Sequence, residues 1–142
     1  MSRPDSEFSA SKYLDQALIN SFLDNLEQRI KVKALIVFGS RAKGDALLTS
    51  DYDIAVVSDD FKGMKRFERT YLLLDVWAAD LALEAVAYTE EEFMKATGML
   101  VWDILEDGVA FKDKGVFRER KKLHDDLKAA GKLKKVEGGW AF

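Results

Sequence analysis

A Gly-Ser pair and two aspartates lie close together in this sequence, and their types and spacing suit phosphate chemistry. Gly39 and Ser40 end one apolar run, and Asp51 and Asp53 lead into another. Carboxylates at i and i+2 of an extended strand point to the same face. Two like charges held side by side are costly unless a cation lies between them. The pattern therefore suggests a phosphate-binding turn beside a metal site.

The Gly-Ser turn has the properties that a phosphate-binding loop needs. Glycine lets the backbone come close to a phosphate, and the start of a following helix directs free N–H groups at it. The Ser40 hydroxyl adds a donor, and Arg41 and Lys43 could neutralise phosphate charge. For the Asp-x-Asp pair alone, two aspartates at an ordinary strand entrance would be the better interpretation. The strand, Gly-Ser turn and helix before the pair favour the phosphate and metal site.

The composition limits the kind of protein and the kind of metal. A chain of 142 residues is about one domain, and 48% hydrophobic and 33% charged residues are ordinary for a globular protein. There is no cysteine, and His124 is the single histidine, so thiolate sites and multi-histidine sites are excluded. A bound metal must therefore have oxygen ligands, which favours Mg²⁺ or Mn²⁺.

Charge and hydropathy set expectations about partners and location. A net charge of -3 gives no reason to expect a general nucleic-acid-binding protein, although a local basic patch would be compatible with it. The sequence contains no apolar run long enough to span a membrane, and its first residues lack the apolar core of a signal peptide. We therefore expect a cytoplasmic protein without a membrane span.

Helical and strand patterns alternate along the chain, which predicts an α/β or α+β domain with one small sheet. Apolar residues recur every four positions over residues 11–31 and predict an amphipathic helix. A short helical turn follows Ser40 and ends near Gly44. Further helices are predicted at residues 64–79, from Thr89, at 99–105 and at 114–135, the last broken near Gly131. Strands are predicted at 33–38, 53–58, 81–88 and, at a sheet edge, 109–112.

No linker or repeat divides the chain, so we expect a single domain over residues 1–142 with its core at about 12–112. Residues 1–9 are polar and are expected to fray. The pattern over Met64, Phe67 and Tyr71 predicts core residues on one helix. The aromatic side chains of Trp140 and Phe142 are expected to dock on the domain itself or on a second subunit, so a homo-oligomer is compatible with the sequence.

The central motif has a resemblance to a known family. Gly39-Ser40, ten further residues and then Asp51-Tyr52-Asp53 resemble the signature of the DNA polymerase β-like nucleotidyltransferase superfamily. The strings GSRAKG and SDYDIAV look in particular like its minimal nucleotidyltransferase branch. The motif covers about 20 residues, and the order of helices and strands extends the resemblance from about residue 12 to 95. The Walker P-loop consensus is absent.

The resemblance implies a small mixed sheet flanked by helices, and a reaction with two divalent metal ions. A nucleoside monophosphate, expected to be AMP, would move from a nucleoside triphosphate such as ATP to an acceptor hydroxyl. By analogy, Asp51 and Asp53 would hold Mg²⁺ or Mn²⁺, and Gly39 and Ser40 would hold the β- and γ-phosphates. A third carboxylate on a later strand would complete a metal site and act as the general base.

Two residues could supply that third carboxylate. Glu84 is the charged residue inside the apolar stretch over residues 81–88, and a buried carboxylate without a partner is costly. Asp80 has the same parity at the start of the strand and is a rival candidate. A salt bridge from Glu84 to a lysine or arginine is a third interpretation. The family usually has aspartate here, and the longer glutamate could shift the metal geometry or the position of the base.

The acceptor stays open at the level of sequence. The chain is too short for the extra domains of a template-directed polymerase or a CCA-adding enzyme. Proteins of the minimal branch often act as antitoxins that add AMP to a HEPN toxin, which makes a protein hydroxyl, often of tyrosine, an expected acceptor. Elsewhere in the superfamily, small molecules such as aminoglycosides are acceptors. The alternative function is a non-catalytic nucleotide-binding or partner-binding module, for which Glu84 in place of aspartate is the sequence hint.

Arg118 and His124 match the spacing of the HEPN ribonuclease motif, but we interpret the match as a coincidence. That fold needs a helical bundle, and too little of the chain is left to build one. We expect His124 to lie on the surface of a charged helix. The excess of lysine and arginine on this helix indicates a solvated face, with a partner or RNA contact as the alternative.

Overall fold

A four-stranded mixed sheet is the centre of the computed structural model, which describes residues 14–142. The strand order is β3-β2-β1-β4, with β2 and β3 parallel and the other pairs antiparallel. This arrangement confirms the predicted mixed sheet and the predicted edge position of the fourth strand. The strands are β1 (Ala34–Phe38), β2 (Tyr52–Val57), β3 (Leu83–Tyr88) and β4 (Val109–Asp113).

Helices cover both faces of this sheet. The first helix is shorter than predicted, because the side chain of Asp15 accepts a hydrogen bond from the Leu18 N–H and caps the helix there. The part predicted at residues 11–13, and the fraying expected of residues 1–9, lie outside the described residues. The helices are α1 (Gln16–Glu27), α2 (Gly39–Lys43), α3 (Arg66–Val76), α4 (Glu90–Lys95), α5 (Met99–Asp107) and α6 (Val116–Ala129), and a 3₁₀ turn occupies Asp59–Phe61.

The two central strands are almost entirely apolar because both of their faces are buried, and the exception is Asp53 near the start of β2, which is partly buried. On one face, Leu35 and Ile54 belong to a cluster that includes residues of α1 and α3. On the other face, Ile36 and Ala55 belong to a cluster with residues of α4, α5 and α6. The ends of β1 and β2 are therefore fixed between two packed layers, and these ends carry the Gly-Ser turn and the aspartates.

Local signals set the ends of α2 and α4 as predicted. The Thr89 hydroxyl accepts from the Glu92 N–H at 3.1 Å, and the Glu92 carboxylate accepts from the Thr89 N–H at 2.8 Å. This reciprocal pair is a capping box at the start of α4. At the end of α2, Gly44 adopts a left-handed conformation with φ of +82°, which glycine accepts without a steric penalty.

The prediction that Phe67 and Tyr71 are core residues is wrong. Their side chains are 68% and 76% exposed, whereas Leu73 on the same helix is fully buried. The face of α3 that meets the sheet lies instead along Leu72, Leu73 and Val76. The sequence could not separate these two apolar stripes, because both have helical spacing. Met64 is partly buried against the core, in agreement with the prediction.

The charged helix ends close to the break predicted near Gly131, but the residues up to 135 do not resume a helix. Helix α6 ends at Ala129, and an antiparallel hairpin follows, with strands β5 (Lys134–Val136) and β6 (Gly139–Ala141). The Trp140 indole N–H donates to Asp103 at 2.9 Å, and its ring centroid lies 6.1 Å from that of Trp102. Phe142 also contacts Trp102, with centroids 5.2 Å apart. Of the two predicted sites of docking, the domain itself or a second subunit, Trp140 takes the domain, whereas Phe142 contacts Trp102 but is 86% exposed.

The hairpin also explains why the prediction of a surface position for His124 is wrong. His124 is fully buried, with its ring centroid 5.3 Å from that of Trp140. Its Nε2 lies 3.1 Å from the carboxylate of Glu106, which also accepts from the Lys128 amine. Burial lowers the pKa of His124, although the Glu106 carboxylate opposes that change. The imidazole is therefore neutral in the folded protein near pH 7 and donates its Nε2–H to Glu106.

No helix among residues 14–142 has the length and apolar composition that crossing a bilayer requires.

Acidification should weaken this fold through His124. Because the pKa of His124 is lower in the folded state than its ordinary value, the unfolded chain takes up the proton first, and stability falls as the pH drops below about 6.5. The free energy of unfolding of the wild type should decline between about pH 7.5 and pH 5.5 more steeply than that of His124→Gln. At neutral pH the variant should be less stable by about 1–3 kcal/mol, because the buried ring contacts are lost. Urea denaturation across this range measures both effects, and equal slopes in the two proteins would contradict the assignment.

Candidate functional site

The turn after β1 and the start of β2 meet at one point, the contact between Gly39 and Asp53. The antiparallel register of β1 and β2 pairs Phe38 with Asp53, so the next residue, Gly39, lies beside the Asp53 carboxylate. Gly39 has a φ of +72°, and a Cβ atom placed on it would overlap Asp53 Oδ2. Glycine is therefore needed here both for its backbone conformation and for the space it leaves.

Glu84 reaches the same place from the other side of β2. The parallel register of β2 and β3 pairs Asp53 with Glu84, and paired residues on neighbouring strands direct their side chains to the same face. Asp51 precedes β2 with the same parity as Asp53 and is exposed. Asp53 and Glu84 both line a cavity of about 310 Å³ that Thr70 of α3 and Leu100 of α5 also border. The structure therefore brings together Asp53 and Glu84, while Asp51 lies just before β2 and does not line this cavity.

The electrostatics of the three carboxylates favour a cation between them. Partial burial raises the pKa of Asp53, and the negative charges of Glu84 and Asp51 raise it further. Like charges that disfavour each other's ionisation form a binding site that a divalent ion would stabilise. Within residues 14–142, no three acidic or histidine side chains are already arranged around one point as a complete metal site. This arrangement fits Mg²⁺, which is commonly held by one or two carboxylates together with water and substrate phosphates.

The exposure of Glu84 differs from the prediction of a buried carboxylate. Glu84 is exposed because β3 is an edge strand and its first residues project beyond the helices that cover the sheet. It makes no ion pair with a lysine or arginine in the described part of the chain. Asp80 lies before β3, outside the register with β2, and is exposed. The geometry therefore places Glu84 beside Asp53 and leaves Asp80 outside this pairing.

Arg41 holds a loop, a role that the sequence did not suggest. Its side chain is almost completely buried, and its Nη2 donates to the carbonyls of Leu48, at 3.1 Å, and of Ser50. Its guanidinium carbon lies 4.2 Å from the ring centroid of Tyr52, a cation–π contact. These contacts fix the loop that leads from α2 to Asp51. The sequence offers no signal for this, because the loop carbonyls that Arg41 binds are common to all residue types.

The two other basic and polar candidates lie on α2, next to Gly39. Ser40 is half-buried, and its carbonyl accepts from the N–H groups of Gly44 and Asp45, which closes the end of the helix. Lys43 is exposed on the last turn. The sequence missed Thr70 and Leu100 as residues bordering the site, because they come from helices far along the chain and belong to no local motif.

Known proteins are similar to this chain in sequence family and in fold. A family model described as a nucleotidyltransferase domain matches residues 19–130. A crystal structure of a provisionally assigned nucleotidyltransferase from Sulfolobus solfataricus is similar to the chain, with 23% identity and a TM-score of 0.57. The similarity covers 80% of this chain and 93% of that chain.

Two toxin-antitoxin structures are also similar in fold. One is a toxin-antitoxin with AMP-PNP, with 18% identity and a TM-score of 0.54. The other is a mutant of the toxin-antitoxin MntA-HpeT, with 16% identity and a TM-score of 0.56. Each match covers 78% of this chain and 86% of the other. Among curated proteins, none matches the chain.

The solved structures share the fold of a small mixed sheet flanked by helices, as the Gly-Ser and Asp-x-Asp motif led us to expect. The family model spans both the Gly-Ser turn and the three carboxylates. This chain therefore belongs to the nucleotidyltransferase domain family.

Proposed function

We propose that this protein is a metal-dependent enzyme that transfers a nucleoside monophosphate, AMP from ATP, to an acceptor hydroxyl. The observation that supports this most is the position of Asp53, in contact with the Gly39 turn on one side and in register with Glu84 on the other. A phosphate-binding turn, a metal-binding carboxylate and a second acid are thus held by three neighbouring strand ends. Nucleotidyl transfer needs these groups within reach of one phosphate chain.

Each residue of the site has a role in this proposal. Asp51 and Asp53 would hold Mg²⁺ or Mn²⁺. When bound, this cation would neutralise the negative charge that develops on the phosphate. The backbone of Gly39 and the hydroxyl of Ser40 would orient the β- and γ-phosphates. Lys43, exposed on the same short helix, would neutralise their charge.

Arg41 contributes to this site indirectly, through the loop before Asp51. We propose that it replaces the direct phosphate contact expected from the sequence with a positioning role, since its guanidinium is committed to the loop carbonyls. A fixed loop keeps Asp51 on the same side as Asp53. The folded loop therefore overcomes the electrostatic repulsion between Asp51 and Asp53 before the nucleotide binds.

The exposed carboxylate of Glu84 is placed to act as the general base and to contribute to a metal site. In the proposed reaction the acceptor oxygen attacks the α-phosphorus, pyrophosphate leaves, and the acceptor proton passes to Glu84. A base at the open side of the cavity can meet an acceptor that arrives from solvent. The exposure of Glu84 therefore agrees with this role better than the buried position expected from the sequence.

The acceptor that we favour is a hydroxyl group on a partner protein, often tyrosine in the minimal branch. The similar toxin-antitoxin structures, one of them with AMP-PNP, support a toxin partner and nucleotide binding. We propose that the partner is a HEPN-type toxin and that the reaction takes place in the cytoplasm. Transfer to a small molecule such as an aminoglycoside, and not to a protein, would show that the acceptor is not a toxin partner.

Replacing Asp53 by asparagine should separate function from stability. Transfer of label from ATP with Mg²⁺ should fall by at least about a hundredfold. In metal-free buffer the variant should be more stable than the wild type by about 0.5–2 kcal/mol, because one of three mutually repelling charges is gone. Mg²⁺ should raise the melting temperature of the wild type but not that of the variant. Asp45→Asn, an exposed change outside the site, is the matched control, and retained transfer in Asp53→Asn would refute the assignment.

Gly39→Ala tests the close approach of the turn to Asp53. Gly63→Ala is a matched control, because Gly63 also has a positive φ, of +82°, but a Cβ there meets nothing within 4 Å. Both variants should lose about 1–2 kcal/mol of stability from the left-handed backbone, and Gly39→Ala should lose more than Gly63→Ala because its Cβ overlaps the Asp53 carboxylate. Only Gly39→Ala should also lose binding of AMP-PNP with Mg²⁺, measured by calorimetric titration. Equal nucleotide binding in the two variants would show that the turn does not hold the phosphates.

Glu84→Gln compared with Asp80→Asn identifies the third carboxylate. Glu84→Gln should lower transfer by about 10²–10⁴-fold while AMP-PNP still binds, since the proton acceptor is removed. Asp80→Asn should leave both properties unchanged. Measuring label transfer and nucleotide binding in parallel distinguishes these outcomes. A wild type that binds nucleotide without transfer to any acceptor would instead favour a non-catalytic binding module.

A further inference from the structure

Strand β3 has an open edge. The strand order gives it one neighbour, β2, and no described strand lies on its other side. The Ala82 and Tyr88 carbonyls both accept from backbone N–H groups on the β2 side, each at 2.9 Å. Backbone groups alternate in direction along a strand, so the odd-numbered residues between them face away from β2. The N–H and C=O groups of Leu83, Ala85 and Ala87 therefore face the open edge.

A groove of about 720 Å³ follows this edge. It is lined by four consecutive residues of β3, 85–88, and by walls that include Arg66 on α3 and Lys95 on α4. Side chains of consecutive strand residues point to opposite faces. Four consecutive residues can line one groove only if the groove runs along the edge, where the backbone itself is accessible.

The groove is continuous with the cavity of the acidic site. Thr70, Ala85, Val86 and Leu100 line both. Glu84 lies at the end of β3 where the two spaces join. A chain that followed the edge would therefore pass directly beside the general base of the proposed reaction.

The charges along the groove favour a polypeptide over a nucleic acid. Arg69 pairs with Glu92 at 2.6 Å, and Lys95 pairs with Glu91 at 2.9 Å, so these cations are compensated. Arg66 makes no ion pair within residues 14–142. A groove with about one uncompensated positive charge attracts a phosphate backbone only weakly, because that binding needs several lysine or arginine contacts, whereas one arginine can pair with a single acidic side chain of a peptide.

We propose that the acceptor is an extended segment of a partner protein that adds as a strand to the open edge of β3 and delivers its hydroxyl side chain to Glu84. This inference rests on the proposed function and adds the mode of recognition. Main-chain hydrogen bonds to Leu83 and Ala85 provide the affinity, as in other cases of strand addition, whereas the Ala87 carbonyl already accepts from Arg69 at 3.4 Å. The small side chains at 85 and 87 leave this edge accessible.

Hydroxyl-bearing peptides test the proposal without knowledge of the partner. The probe is an array of peptides of about a dozen residues, each with a central tyrosine, serine or threonine, incubated with labelled ATP and Mg²⁺. The proposal predicts that a subset is labelled. N-methylation of alternate backbone amides in the best peptide should lower labelling by about tenfold in one register and leave it nearly unchanged in the other, because only alternate amides face β3.

Variants of the protein provide the second arm. Ala85→Pro removes an edge N–H at a position where proline is tolerated, and it should lower peptide labelling while AMP-PNP binding is kept. Arg66→Glu should lower the labelling of acidic peptides more than that of neutral or basic peptides. This variant is the test of the groove if Ala85→Pro does not fold.

The outcomes separate the two proposals. A wild type that binds AMP-PNP and labels aminoglycosides or free tyrosine, but no peptide, overturns strand addition and leaves the proposed function intact. If the wild type does not bind AMP-PNP with Mg²⁺, both the proposed function and strand addition are wrong. Equal effects of N-methylation in both registers overturn the strand geometry. A dimer in sedimentation that Ala85→Pro dissociates would show that the edge pairs with a second copy, which also overturns the proposal.

Discussion

The contact between the Gly39 turn and the Asp53 carboxylate is the constraint on which the rest of the site depends. It exists because β1 and β2 pair in a register that puts the last residue of one strand opposite the first acid of the other. That register is fixed because both strands are buried on both faces, and a slip of one residue would turn every side chain to the wrong layer. The core of this small domain therefore sets the geometry of the turn and the carboxylate without any help from a ligand.

The fold holds three carboxylates together at a cost to its stability. Asp53 is partly buried beside two like charges, and its pKa is raised for that reason. The edge position of β3 limits this cost, because Glu84 is exposed to solvent that screens its charge. Arg41 donates a hydrogen bond to the Ser50 carbonyl and so fixes the loop before Asp51. This contact opposes the movement of Asp51 away from Asp53. A cation bound between these carboxylates would relieve the repulsion.

The sequence predicted the parts of this structure that local patterns control. Gly39, Asp51 and Asp53 are close in the chain, and the Thr89 cap lies within one helical turn of its partner. Residues that depend on distant contacts were harder to predict. Whether Glu84 or Asp80 joins the aspartates is decided by strand register, and the burial of His124 is decided by a hairpin that begins ten residues later.

Strand β3 lies at an edge of the sheet, and Glu84 lies near its first residue, in register with Asp53. Proteins commonly protect edge strands with charges, bulges or covering segments, because unpaired backbone groups invite association. Here Arg69 donates to the Ala87 carbonyl at 3.4 Å and so covers the far end of β3, while no side chain among residues 14–142 donates to the carbonyls of Leu83 or Ala85 near Glu84. The backbone of β3 is thus covered at Ala87 and accessible near Glu84, a difference that an edge strand without a function would not need. The asymmetry is what a strand needs if it must accept a short extended segment near its acidic end and refuse a long one.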